Sequence, residues 1–153
     1  MKSVLTWGKP TIEVAPFVDG SPGTDWITFP TIKKGTANLT ATKGEETEAL
    51  GEGDELVDTR IAPNKYLFVC DVFVKNGEER PVEDVDGVIA GYYSWRLTPE
   101  DDTLEGHQME KCKMSVQEAW TSAEGTMLHY EIKGMSPDDG SRTLKPYTKA
   151  GTP

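Results

Sequence analysis

Two histidines and two cysteines are the chain's whole stock of the side chains best suited to hold a transition metal or to attack a carbonyl group. His107 lies in a Gly-flanked turn and His129 in a strand-like stretch beside Tyr130. Neither belongs to a His-x-x-x-His or Cys-x-x-Cys arrangement, so any such metal site would draw every ligand from a distant place. A Gly-x-Ser-x-Gly elbow, a Walker loop and a dinucleotide fingerprint are also missing from the sequence. The glycine-rich GEGDE at 51–55 sits among acids and would repel a phosphate. The sequence therefore predicts no catalytic residue, no cofactor and no metal site. The protein reads as a carrier of shape.

Carboxylates are the remaining chemistry. Residues 45–58 (EETEALGEGDELVD) hold seven of them and no basic residue. Calcium favours such oxygen ligands, but the EF-hand spacing and its distal Glu are missing. A glycosidase pair needs two acids facing across a cleft at roughly 5–9 Å, which spacing along the chain does not define. The plain reading is a solvated loop or hairpin kept soluble by its charge. A sharper one makes it an acidic projection that meets the basic face of another copy, supplied by Lys33, Lys34, Lys111, Lys113, Arg142, Lys145 or Lys149. Leu50, Leu56 and Val57 would then bury apolar area, while Glu52, Asp54 and Glu55 stay beside the basic neighbour. Mutual repulsion gives the segment little reason to order in an isolated subunit, and stacking of subunits is expected to order it. Trp7, near a terminus, and Trp120, at a polar strand end, are further interface candidates.

At 153 residues the chain is long enough for one domain, predicted over residues 1–140, with an acidic loop or hairpin at 44–60 and a flexible tail at 141–153. A formal charge of −10 and a pI near 4.6 disfavour tight binding to a phosphate backbone, which needs clustered Lys and Arg. MKSVLTWGKP has no continuous apolar core of a signal peptide, and no stretch approaches a membrane span, so no membrane anchor is expected. Cys70 and Cys112 read as reduced, buried small hydrophobes; a disulfide requires their strands to be neighbours.

The elements that must position these residues are strands. Fifteen Gly and ten Pro favour short strands and turns over helices. Residues 65–74 (KYLFVCDVFV) are apolar on both faces and predict a strand in the middle of a sheet or between layers. Residues 37–42, 110–118 and 126–133 alternate, with Leu39, then Cys112, Met114 and Val116, then Leu128, Tyr130 and Ile132 facing inward. YYSWRLTPEDD at 92–102 and LHYEIKGMSPDDG at 128–140 end alike, on a Pro followed by two acids that stop a strand. Between 81 and 89 the reading is open: Pro81 starts a short helix with Val82, Val85 and Ile89 on one face, or the Asp86-Gly87 turn prevents it. The fold expected is mainly β, two antiparallel sheets forming a small barrel or sandwich, with at most one or two short helices. A carbohydrate- or protein-binding jelly-roll-like module is the alternative, with Trp26, Tyr92 or Tyr93 as its aromatic platform.

Taken in order, GEETEALGEGDELVDTR (44–60), KYLFVCDVFVK, GYYSWRLTPEDD and SAEGTMLHYEIKGMSPDDG resemble a bacteriophage tail tube protein, itself similar to the tube protein of type VI secretion systems. The resemblance spans about residues 33–140. It implies a non-enzymatic virion structural protein, a homo-oligomer whose hexameric rings stack into a tube for DNA ejection. Its partners would be itself and other phage tail proteins, with DNA only as passing cargo. Its place would be the virion tail, assembled in the bacterial host cytoplasm. The resemblance also implies that the loop before the long strand, 44–58, reaches a neighbouring ring.

Overall fold

The computed structural model describes residues 5–18 and 20–148. Among them the chain forms eleven strands and one short 3-10 turn, Glu52–Asp54. In order the strands are β1 (Thr11–Val18), β2 (Ser21–Pro22), β3 (Ile27–Thr28), β4 (Asn38–Thr42), β5 (Glu46–Leu50), β6 (Leu56–Ile61), β7 (Lys65–Phe73), β8 (Tyr93–Thr98), β9 (Gly106–Thr121), β10 (Gly125–Met135) and β11 (Leu144–Tyr147). All pairings are antiparallel. The main sheet runs β2-β1-β8-β9-β10-β7-β4, with β3 beside β1 and β11 beside β9. Strands β5 and β6 form a separate two-stranded sheet. The fold is thus mainly β with two sheets.

Cross-strand partners share a face, so alternation along each strand becomes continuous rows across the sheet. One row is Leu39, Phe68, Ile132 and Met114; the next is Cys70, Tyr130 and Val116. Val14 and Trp95 continue this face on the far strands. The sheet curls enough that Phe68 of β7 stacks on Trp95 of β8, centroids 4.8 Å apart, although two strands separate them. Cys70 and Cys112 are both free and fully buried in this core.

The opposite face of β7 carries Leu67, Val69, Asp71 and Phe73, which are half-buried and not covered by a second layer as expected. Their neighbours on β10 are Lys133, Glu131, His129 and Met127, and long polar chains shade apolar surface with their stems while keeping their heads in water.

The expected barrel is not found. The main sheet has a linear strand order with two ends, β2–β1 and β4, and the second sheet projects instead of forming a facing layer. Residues 27–33 cross between the ends, pairing with β1 through Ile27 and Thr28 and touching β7 through an Ile32–Val72 bridge. Too few of their backbone groups align with both strands to complete a ladder.

Two local expectations also change. Residues 81–89 form no helix: Asp86 (φ 50) and Gly87 (φ 87) make a tight turn bridged by Val85 and Val88. Positive φ at both central positions is the I′ turn that Asp-Gly favours, and it overrides the weak helical pattern. Val82 and Ile89 are buried while Val85 is exposed, so the three do not share a face. Leu144–Tyr147, expected in the flexible tail, pair with Met109–Gly106 as β11 because Leu144 packs on the core. Residues 149–153 of that tail lie outside the described residues.

Candidate assembly surface

The acidic segment folds into a hairpin. Glu46 pairs with Ile61, Glu48 with Thr59, and Leu50 with Leu56; a register shift beside Ala49 makes Val57 the extra residue of a bulge. A bulge bends its strand and gathers side chains, here bringing Leu56 and Val57 together opposite Leu50. The tip is closed by Gly51 N–H donating to the Glu55 carbonyl at 2.7 Å. The base is pinched shut. Ala62 N–H donates to the Glu45 carbonyl at 2.8 Å, and Lys43 pairs with Glu46 at 2.7 Å. Gly44 is buried here, and a Cβ on it would stand 2.1 Å from the Ala62 carbonyl oxygen. Only glycine lets the two arms approach so closely.

Among the described residues nothing shields the end of this hairpin. Leu50 is 55%, Leu56 56% and Val57 69% exposed, and all of β5 is exposed. An isolated two-stranded hairpin is marginal in water, so one presenting three aliphatic side chains at its end is poised for a surface that covers them. Glu52 and Asp54 lie in the 3-10 turn at the tip, with Glu55 beside them. The structure therefore brings Leu50, Leu56, Val57, Glu52, Asp54 and Glu55 into one projecting end.

Trp7 and Trp120 belong to other elements. Trp7 is 72% exposed in the segment leading to β1, where the Glu100 side chain lies directly against the Gly8 backbone. Trp120 is 69% exposed near the β9–β10 turn, opposite Thr126.

A groove not foreseen in the sequence opens between the ends of the main sheet. Its volume is about 1150 Å³, and its walls come from β1, β3, β4, β7 and β8 together with residues 6–10 and 29–37. Its lining includes the half-buried Leu39 and Leu97, the buried Phe29 and Phe68 behind them, and the charged residues Lys9, Lys33, Lys34, Glu78 and Glu100. Lys33 pairs with Glu124 at 2.7 Å, tying the groove to the β9–β10 turn. Alternation marks Leu39 and Phe68 as inward residues, but the groove depends on how far the two sheet ends stand apart. No local pattern encodes that gap.

The possible reactive groups are embedded in the structure. Burial, then the Asp71 charge, pushes the Cys70 thiol up to about 12, and burial raises Cys112 as well. Both therefore remain thiols at neutral pH. His129 Nδ1 lies 2.6 Å from Asp71 Oδ1, and its Nε2 lies 3.6 Å from Glu131 Oε1, on the half-exposed face of the sheet. His107 sits on β9 between Leu97 and Pro146. Among the described residues, no group of three His, Cys, Asp or Glu side chains is placed to hold a metal.

The aromatic residues proposed as a sugar platform have other neighbours. The Arg96 guanidinium lies 3.8 Å over the Trp26 ring and forms a two-pronged pair with Glu13, while Lys111 and Lys113 approach Tyr92. Tyr93 is half-buried against the core.

No protein-family model matches the chain, and no curated protein matches it. The expected homology to phage tail proteins is therefore not found. The likeness rests on the order of its strand and turn segments alone.

Proposed function

We propose that the protein is a non-enzymatic structural subunit that associates with copies of itself into stacked rings enclosing a channel for DNA, as in a tail tube. The observation that carries this reading is the projecting hairpin, whose Leu50, Leu56 and Val57 end is apolar, acidic and uncovered. A monomer gains nothing by holding such an end away from its core; a neighbouring subunit that covers it gains the burial. The outer edge of β4, which pairs with no further strand among the described residues, supports the same reading, because unpaired strand edges are templates for pairing between subunits. A net charge of −10 suits a channel past which a phosphate backbone slides without being held. By the segment resemblance, the setting is a virion tail assembled in the host cytoplasm, alongside other tail proteins.

Electron microscopy of concentrated protein tests this. Rings or tubes are the expected outcome, and a chain that stays monomeric at every concentration and salt refutes self-assembly. A second reading, a non-catalytic binding module, is favoured by the groove. Its mark would be a monomer that binds a glycan or foreign protein there.

A further inference from the structure

We propose that Asn76 is a site of spontaneous deamidation, where the Gly77 backbone nitrogen attacks the Asn76 carboxamide and water completes its conversion to a carboxylate. The chain has three asparagines, Asn38, Asn64 and Asn76, and only Asn76 is followed by glycine. The attacking nitrogen belongs to the following residue, and a glycine there has no Cβ in the way and many backbone angles open to it. The fold adds to this. Residues 75–80 are all exposed, and Lys75 to Glu78 form a turn closed by Glu78 N–H donating to the Lys75 carbonyl at 3.1 Å. Gly77 sits in that turn at φ 88, where an added Cβ would meet nothing within 4 Å. Among the described residues its N–H donates to no acceptor, and the Asn76 side chain has no hydrogen-bond partner. The ties lie just before the turn: Val74 N–H donates to the Thr126 carbonyl at 3.3 Å, and Lys75 Nζ to Thr31 Oγ1 at 2.7 Å. Asn38 is held differently. It pairs with Val69 in β4, and the next residue, Leu39, pairs with Phe68 and packs on the core, so that backbone is fixed in a ladder. Asn64 precedes Lys65, which pairs with Thr42 and carries a Cβ beside its nitrogen.

In the first step Gly77 N bonds to Asn76 Cγ and the bond from Cγ to the side-chain nitrogen breaks. The proton lost from Gly77 leaves with that nitrogen as ammonia, and a cyclic imide remains. Water then opens the ring in one of two ways. Addition at Cγ restores the main chain and leaves aspartate. Addition at the backbone carbonyl carbon breaks its bond to Gly77 N, so the chain runs on through Cγ as isoaspartate. Nothing is oxidised or reduced. Either product sets one more negative charge beside Glu78 and Glu79, and isoaspartate also lengthens the backbone of the turn by a methylene.

Peptide mapping by mass spectrometry tests this on the full-length folded protein incubated at neutral pH, beside a sample unfolded in urea. Aspartate and isoaspartate should both accumulate at position 76, at least roughly tenfold faster than amide loss at Asn38 or Asn64, or about 1.4 kcal/mol of barrier. Because the fold leaves the turn untied, the folded rate at Asn76 should stay within roughly tenfold of the rate in urea. Gly77→Ala should slow the conversion roughly tenfold in urea, where the strain of a positive φ plays no part. Folded protein in which Asn76 converts no faster than Asn38, or more than roughly tenfold slower than in urea, overturns the proposal. Aspartate without isoaspartate overturns it too, because direct hydrolysis of the side chain would then have bypassed the Gly77 nitrogen.

Discussion

Replacing Leu56 and Val57 together with Ser separates an intersubunit arm from an internal strand. More than half of each side chain is exposed in the subunit, 56% and 69%. Full burial of such a side chain is worth about 2 kcal/mol, so covering the exposed share gives about 1–1.5 kcal/mol each. The pair then contributes about 2.5 kcal/mol to each contact, roughly fiftyfold in the association constant at about 1.4 kcal/mol per tenfold. Within the monomer both residues lie on a hairpin outside the core, and surface changes of this kind stay within about 0.5 kcal/mol. A chain of this length then shifts its melting temperature by about 1–2 °C. Sedimentation velocity over a concentration series reads the first quantity, and circular-dichroism melting of dilute protein reads the second. A large fall in monomer melting temperature with self-association unchanged in the surviving fold would show that Leu56 and Val57 are core, and the reasoning from their exposure would fail.

Gly44→Ala should destabilise the subunit by about 1–3 kcal/mol, seen as a lower denaturation midpoint, because its Cβ would collide with the Ala62 and Pro63 carbonyl oxygens and spread the hairpin base. Neutralising Glu52, Asp54 and Glu55 to Gln or Asn should change the rate of self-association and flatten its salt dependence, read by light scattering, with little effect on melting. Stability should fall as pH rises from 9 towards 12: Cys70 is held protonated in the fold up to about 12, while in the unfolded chain it ionises near 9.0, and Cys112 shifts in the same direction. The burial therefore contributes stability that is fully present below 9.0 and lost through the folded value. Urea titrations of Cys70→Ala with Cys112→Ala should show a flatter alkaline decline than the parent. Native protein should also react with a thiol reagent only as fast as it unfolds.

Much of the strand content was legible because alternation is a local property. Cys112, Met114 and Val116 point inward from β9, and Leu128, Tyr130 and Ile132 from β10, as their spacing requires. The acidic segment could be read as a projection because seven carboxylates cannot share a core, and Leu50, Leu56 and Val57 stood out within it as the apolar exceptions. Where two local signals competed, the stronger turn chemistry won, as Asp86-Gly87 did over the Val82, Val85, Ile89 spacing. The strand Leu144–Tyr147 was hidden within the expected flexible tail, because its pairing with β9 depends on a partner more than thirty residues away. The open sheet and its groove were not legible at all. They follow from how residues 27–33 span two strand edges, a relation between distant elements that no window of sequence contains.

The pairing of β1 with β8 sets an order on folding. Strands β9 and β10 are joined by a short turn, so their ladder closes a small loop, whereas Glu13 meets Arg96 across 83 residues. Loop-closure entropy makes the first contact early and the second late. On the ribosome β1 emerges before β8 and must wait for it before that edge is paired, with its inward Ile12 and Val14 unburied meanwhile. Pro16 interrupts that waiting strand and Pro22 its short neighbour, and each lacks the N–H that a misplaced edge would need. Strand β1 is thus made well before its partner and is already equipped against premature pairing.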